Sequence, residues 1–111
     1  MQPAQISQTN RALAVKPAIQ PIAPWRLVSV QAESAQRLEV TFVDGTIGSV
    51  DLRNFLNDPQ IQGTVFEPLR DPAVFTQVQV VMGAVQWVNG AELAPDAMYD
   101  AIKRHGVWVM E

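Results

Sequence analysis

The sequence contains no cysteine and only one histidine among its 111 residues. The absence of cysteine excludes disulfide bonds, thiol catalysis and cysteine-ligated zinc. The single histidine, His105, leaves no pair of imidazoles at metal-binding spacing, and it favours a helix-terminal cation over a metal ligand. No glycine-rich phosphate loop and no Gly-x-Ser-x-Gly motif is present. We therefore assign no catalytic, metal-binding or cofactor-binding residue, expect no cofactor, and lean against an enzyme.

Long apolar runs are also missing from the chain. No run approaches the roughly 20 residues of a membrane-spanning helix. Arg11 and Lys16 interrupt the region where the apolar part of a secretion signal would lie. We therefore expect a cytoplasmic protein that makes no membrane contact. A formal net charge of -3 gives no overall attraction to nucleic acid, so we predict no nucleic-acid binding by this domain alone.

Acidic residues are absent from the first 24 positions, which carry Arg11 and Lys16, four of the eight prolines and four glutamines. This composition predicts a flexible N-terminal arm, 1–24, with a charge of +2. A single domain, 25–111, would follow with a charge of -5, from six basic and eleven acidic residues. The arm would either become ordered on a partner or serve as an inert leader.

The best-defined pattern of the domain is 38–52, where two alternating runs flank Asp44-Gly45. The pair favours a type I′ hairpin turn. In the first run the inward positions are Leu38, Val40 and Phe42. In the second run Ile47 and Val50 would supply the apolar partners, and Gly48 would mark a bulge or a close approach.

The remaining patterns extend this hairpin in both directions. A strand over 25–32 would complete a meander, a turn at Met82-Gly83 would join 77–81 and 84–88 into a second hairpin, and Asn89-Gly90 would form a further turn. Short helices are predicted after Asp51, after Asp71-Pro72, and from Pro95 through His105. The sequence therefore predicts an α+β domain, with a small antiparallel sheet (meander plus a second hairpin) and two or three short helices packed on it.

An ordered set of turns and apolar anchors spans residues 26–99. It comprises Phe42-x-Asp44-Gly45, Asp51-Leu52, Phe66-x-Pro68-Leu69-x-Asp71-Pro72-x-x-Phe75 and Gly83-x-Val85-x-Trp87-x-Asn89-Gly90-x-x-Leu93-x-Pro95-Asp96-x-Tyr99. This set resembles a bacterial family known as domain of unknown function 2442. The resemblance implies strands first and short helices packed on the sheet. It supplies no catalytic residues.

The same resemblance implies two kinds of partner. Some family members carry a helix-turn-helix domain after this module, and others resemble antitoxin-like halves of two-gene operons. The present sequence has no room after the module for a helix-turn-helix domain, so the resemblance does not predict autonomous DNA binding. It also has a long N-terminal arm, and Glu92 stands where aspartate is more usual.

Three hypotheses for function follow from these observations. The favoured one is a non-enzymatic protein-interaction module, a homodimer that acts as the antitoxin-like partner of a small operon-encoded protein. Its candidate interaction surface comprises Trp25, Arg53, Arg70 and Trp108, because tryptophan and arginine are enriched at binding hot spots. The alternatives are a small-molecule-binding or enzymatic domain with a carboxylate–arginine cleft, and a DNA-binding accessory protein.

Overall fold

The structure is a computed structural model that describes residues 23–111. The predicted N-terminal arm therefore lies outside the described residues, except for its last two positions. The strands and helices, in chain order, are β1 (Leu27–Glu33), β2 (Arg37–Phe42), β3 (Ile47–Asp51), α1 (Arg53–Leu56), α2 (Pro72–Phe75), β4 (Gln79–Val81), β5 (Ala84–Gln86), α3 (Pro95–His105) and β6 (Val107–Val109). Two 3₁₀ turns, Pro59–Ile61 and Glu67–Arg70, lie between α1 and α2.

The main sheet has four strands in the order β1-β2-β3-β6, and β4 and β5 form a separate antiparallel pair. The α+β class, the meander and the second hairpin are thus confirmed. The sheet is mixed, however, and not antiparallel throughout, because β6 pairs with β3 in parallel. Parallel neighbours require a long crossover connection, and here that connection ends in α3, which returns the chain to the sheet edge.

The turn between β2 and β3 differs from the predicted type I′ turn. Gly45 has a φ of +92°, whereas Asp44 is not among the residues with positive φ. The Phe42 carbonyl accepts a hydrogen bond from Gly45 N–H at 2.9 Å, and Phe42 N–H donates to the Thr46 carbonyl at 2.8 Å. This pattern is a three-residue loop in which only the glycine needs the left-handed conformation. Asp44 instead uses its carboxylate to accept from Thr46 N–H at 2.9 Å.

The prediction that Ile47 faces the core is wrong. In the register of β2 and β3, Leu38 pairs with Val50 and Val40 pairs with Gly48, whereas Ile47 pairs with the outward-facing Thr41. Because strand side chains alternate, Val50 and Ile47 cannot both face the core. Gly48 takes the inward position that a larger side chain would otherwise fill. A Cβ atom there would clash with Ile102 Cγ2 of α3 and lie 3.0 Å from the Gly106 carbonyl oxygen, so the predicted close approach is confirmed.

The helices cover the inward face of the sheet. The structure confirms the predicted caps of two of them: Asp71 accepts from Ala73 N–H at 2.9 Å at the start of α2, and Gly106, with a φ of +76°, ends α3. The hydrophobic core combines sheet and helix residues: Leu27, Leu38, Val40, Phe42, Val50, Leu52, Leu56, Ile61, Leu69, Phe75, Val85, Trp87, Ala91, Leu93, Met98 and Ile102. Trp87 is buried, and its indole Nε1–H donates to the Phe75 carbonyl at 2.9 Å.

Candidate functional site

The face of the main sheet opposite the core is here called the outer face, and the strand register shows which residues belong to it. Its members pair across the strands in three rows: Ser29, Thr41 and Ile47; Gln31, Glu39, Ser49 and Val107; Glu33, Arg37, Asp51 and Val109. Most of these side chains are exposed or half-buried, and the exception is Asp51. The outer face therefore presents to solvent a surface that three strands of the meander and the edge strand β6 build together.

Part of the outer face is apolar. The Ile47 side chain is 61% exposed, and Val109 on β6 is also exposed. Val28, at the bulge of β1, and Val43, two residues beyond Thr41, are further exposed valines. Val107, half-buried, stands diagonally from Ile47 in the β3–β6 register. Large apolar side chains thus continue from the turn end of the hairpin to the edge strand.

The remaining corner of the outer face is charged. Arg37 lies between Glu33 on β1 and Asp51 on β3, each directly opposite it in the register. The Arg53 guanidinium binds the Asp51 carboxylate through two nitrogens, Nη2 at 2.7 Å from Oδ2 and Nε at 3.0 Å from Oδ1. Asp51 Oδ1 also accepts from Arg53 N–H at 3.0 Å. Asp51 therefore bonds the start of α1, as predicted, although it is the last residue of β3 and Leu52 occupies the capping position.

Asp51 is suited to structure and not to proton transfer. It is only 7% exposed, and the hydrogen bonds from the Arg53 side chain hold the pKa of its carboxyl below the usual range, against the opposing effect of burial. The same contact raises the pKa of Arg53. A carboxylate whose oxygens are both bonded, with a lowered pKa, is a poor general base at neutral pH. This pair is also local in sequence, since the two residues are two positions apart.

A second polar contact joins the hairpin turn to α3. The Tyr99 hydroxyl donates to Asp44 Oδ2 at 2.6 Å, and the Tyr99 ring stands edge-on to Phe42 with centroids 5.1 Å apart. The hydrogen bond from the Tyr99 hydroxyl lowers the pKa of Asp44 to about 2, and the hydrogen bond from Thr46 N–H makes the next largest contribution to this shift. The contact raises the pKa of Tyr99 in turn. The pair fixes the turn against the helix.

A cavity of about 400 Å³ lies between the β1–β2 turn and the segment that joins the second 3₁₀ turn to α2. Its lining is largely apolar, with two charged residues: Ala32, Glu33, Ser34, Ala35, Gln36, Leu69, Arg70, Pro72, Phe75 and Thr76. Arg70 Nε–H donates to the Leu56 carbonyl at 2.6 Å and Nη2–H donates to the Asp58 carbonyl at 3.1 Å. The Arg70 side chain is thereby held in one orientation beside the cavity.

The four residues of the predicted interaction surface do not come together. Trp25 precedes β1 at one edge of the sheet, whereas Trp108 lies in β6 at the other edge. Trp108 pairs with the inward-facing Val50 and is half-buried. Arg53 belongs to the charged corner of the outer face, and Arg70 lines the cavity.

Two features of the site escaped the sequence analysis. Strict alternation places Ile47 and Val50, three residues apart, on opposite faces of the strand, but it does not decide which of the two is exposed. The left-handed conformation of the β1–β2 turn has no signal in the sequence. Ala35 and Gln36 adopt φ values of +61° and +59°, although neither is a glycine or an asparagine. Among residues 23–111 there is no cluster of three or more histidine or acidic side chains that would hold a metal ion. No helix in this part of the chain is long and apolar enough to cross a membrane.

Comparison with known proteins places this fold in a family. The family model described as "Protein of unknown function (DUF2442)" matches residues 27–104. The chain belongs to this family. The match confirms the resemblance found from the motifs over 26–99, and its limits run from the first residue of β1 almost to the end of α3.

Among solved structures, the chain is similar to the crystal structure of NE0471, a proposed DNA-binding protein of Nitrosomonas europaea ATCC 19718. The two share 20% sequence identity with a TM-score of 0.50, over 74% of this chain and 61% of that one. The chain thus spans less than two thirds of that protein, and identity at this level shows a shared fold alone. No curated protein matches the chain.

Proposed function

We propose that this family member is a non-enzymatic protein-interaction module that binds a basic partner protein through its outer face. The observation that supports this most is the exposure of Ile47, at the turn end of β3, beside other exposed apolar side chains. Contiguous apolar surface of this kind marks interaction sites on small proteins. An apolar centre with charged residues at its margin is also the usual composition of a protein interface.

The edge of the sheet supports the same proposal. β6 has one strand neighbour, β3, in the sheet of residues 23–111, and it carries Val107 and Val109 of the outer face. A strand with one free edge accepts an added strand from a partner, and alternate side chains of the pair then lie on a common face. A partner that covers Ile47 would therefore meet this edge as well.

The sign of the partner's charge is inferred from the domain. Residues 25–111 carry a net charge of -5, and a partner of opposite charge would associate faster and more selectively. A small basic protein encoded by a neighbouring gene, with this chain as its antitoxin-like inhibitor, is the specific form of the proposal. A homodimer that presents two such faces is part of it, and its test is the mass of the purified protein by light scattering.

Affinity purification with matched surface variants tests the outer face. The tagged full-length protein is purified from its native host after DNase treatment, as wild type, as Ile47→Arg and as Val88→Arg. Val88 is 72% exposed and follows β5, outside the main sheet, so it controls for the added charge. We expect a stoichiometric basic protein with the wild type and with Val88→Arg, and its loss with Ile47→Arg. Equal recovery with both variants would refute the outer face as the binding site.

Toxin neutralisation tests the finer form. Growth is measured in cells that express the captured protein alone, with the wild-type chain, or with the Ile47→Arg variant. Growth arrest that the wild type relieves and the variant does not would support an antitoxin-like role. A captured protein that leaves growth unaffected would rule out that role and leave a simple binding partner.

DNA binding is the second candidate, and the likeness to NE0471 supports it. The exposed basic end of α3, Lys103 and Arg104, is the region that would meet phosphate groups. Binding through phosphates weakens steeply as salt rises. Retention on duplex DNA at low salt, lost in a Lys103→Gln/Arg104→Gln double variant, would favour this function. Passage of the wild type through the column at low salt would remove it.

A further inference from the structure

We infer that the cavity between the β1–β2 turn and α2 binds a small carboxylic acid with an apolar body, whose carboxylate lies on Arg70. The residues that line this cavity do not belong to the outer face, except for Glu33, which lies at the margin of both. The inference concerns an activity beyond protein interaction. It depends on three observations: the shape and composition of the cavity, the fixed position of Arg70, and an unfavourable turn at the rim.

The cavity has the character of a ligand site. Pockets that hold small molecules have volumes of roughly 300–1,000 Å³ and combine apolar walls with a few placed polar groups. The present cavity, at about 400 Å³, lies in this range. Leu69 and Phe75 are core residues, and Ala32 and Pro72 add further apolar atoms to the lining. This lining favours a ligand whose body is a short alkyl chain or an aromatic ring.

Arg70 gives the cavity its preference for an anion. Its Nε and Nη2 atoms are engaged by the Leu56 and Asp58 carbonyls, which fixes the plane of the guanidinium group. Its Nη1 atom forms a long ion pair with Glu67, 4.0 Å from Oε2 and beyond hydrogen-bond distance, so a ligand carboxylate would compete with Glu67 for the donors on this side. An arginine held in place before binding loses little conformational freedom when a carboxylate arrives.

Glu33 is the one acidic residue of the lining, and it does not reverse this preference. It is exposed on β1, and the register places it opposite Arg37. An exposed carboxylate facing an arginine has a small effect on a neighbouring anion, because solvent and the opposite charge both screen it. Arg70 is the one basic residue of the lining, and Glu67 is its ion-pair partner.

The turn at the rim is locally unfavourable. Four other turns place a glycine at positive φ, namely Gly45, Gly63, Gly83 and Gly90, and one of them also holds Met82 at positive φ beside Gly83. At the cavity, two consecutive residues with side chains, Ala35 and Gln36, occupy the left-handed region instead. The left-handed region is unfavourable for such residues, and strain of this kind concentrates at ligand sites, where the surrounding structure maintains it. The Gln36 carbonyl, which accepts from Leu52 N–H at 3.0 Å, ties this turn to the end of β3.

Two probes that differ only in charge test the inference on the full-length wild-type protein. 3-Phenylpropionate and 3-phenylpropionamide have the same ring and chain, and each is titrated while backbone amide signals are followed by NMR. We expect shifts at Ala35, Gln36 and Thr76, with the carboxylate binding about tenfold more tightly than the amide, because hydrogen bonds to a charged group are stronger. Absence of shifts at these residues with both probes, or equal affinity for the two, would overturn the inference.

A pair of tryptophan variants locates the site. Thr76 lines the cavity and is exposed, whereas its neighbour Gln77 is exposed and is not part of the lining. Thr76→Trp would fill the cavity mouth and weaken binding of 3-phenylpropionate by about tenfold or more, and Gln77→Trp would leave it unchanged. Both variants avoid the buried core, and their amide spectra report whether they fold. Undiminished binding to a folded Thr76→Trp variant would show that the probe binds elsewhere.

Discussion

The two faces of the main sheet are built from the same strands and meet different surroundings. On the inward face, Leu38, Val40 and Val50 are fully buried beneath the helices. On the outer face, Ile47 and Val109 are exposed, and the one buried residue is Asp51, which is bonded to Arg53. Period-two alternation alone does not distinguish these faces, because β3 carries an apolar residue on each of them. The difference shows which apolar residues maintain the fold and which remain exposed to solvent.

The largest expected difference is in the stability lost when Phe42 or Ile47 is replaced by alanine. Phe42 is 1% exposed on the inward face and also contacts Tyr99, so Phe42→Ala should lower the free energy of unfolding by about 3–5 kcal/mol. Ile47→Ala removes an apolar side chain from the outer face and should change the free energy of unfolding by less than about 0.5 kcal/mol. Urea unfolding of both variants measures the two values. Similar losses would mean that the outer face is packed like the core.

A smaller effect is expected where α3 touches the sheet. Gly48→Ala places a methyl group against Ile102 and near the Gly106 carbonyl, so the helix must shift. Overpacking of this kind costs about 1–3 kcal/mol. Ser49→Ala, one residue along and on the outer face, serves as the matched control and should cost less than about 0.5 kcal/mol. Thermal unfolding compares the two, and a tolerated Gly48→Ala would show that α3 sits loosely on β3.

The smallest effect concerns the exposed contact between Asp44 and Tyr99, and it appears as a pH dependence. The folded pKa of Asp44, about 2, lies below its ordinary value of 3.8. The contribution to stability is therefore present above about pH 4 and is lost as the pH falls toward 2. Tyr99→Phe removes the main cause, so the titration midpoint of Asp44 should rise toward its ordinary value in carboxyl NMR spectra. An unchanged midpoint would assign the shift to Thr46 instead.

Much of the fold was predictable because local chemistry enforces it. Asp71 bonds the amide of Ala73, and Gly106 ends α3 in a left-handed conformation, as residues of these types do in short peptides. The large apolar ring of Trp87 favours burial, and the structure gives its indole nitrogen a carbonyl partner. These assignments depend on residues close in sequence or on hydrophobicity alone.

The candidate sites were less predictable because their residues are distant in the chain. Arg70 was predicted to be a surface contact, yet its orientation depends on carbonyls 12 and 14 positions earlier. Trp25 and Trp108 suggested one surface, but the strand order places them at opposite edges of the sheet. The left-handed conformation of Ala35 and Gln36 was not predictable, because neither residue type favours that region.

The sequence by itself determined the α+β class, the positions of most turns and helix ends, and the family. These properties follow from alternation, capping and glycine placement, which act over a few residues. The tertiary structure alone decided the mixed sheet, the exposure of Ile47 and the cavity beside Arg70. The physical reason is packing: α3 fills the space over Gly48, which fixes the register of the inward face and leaves the apolar side chains of the opposite face exposed to solvent.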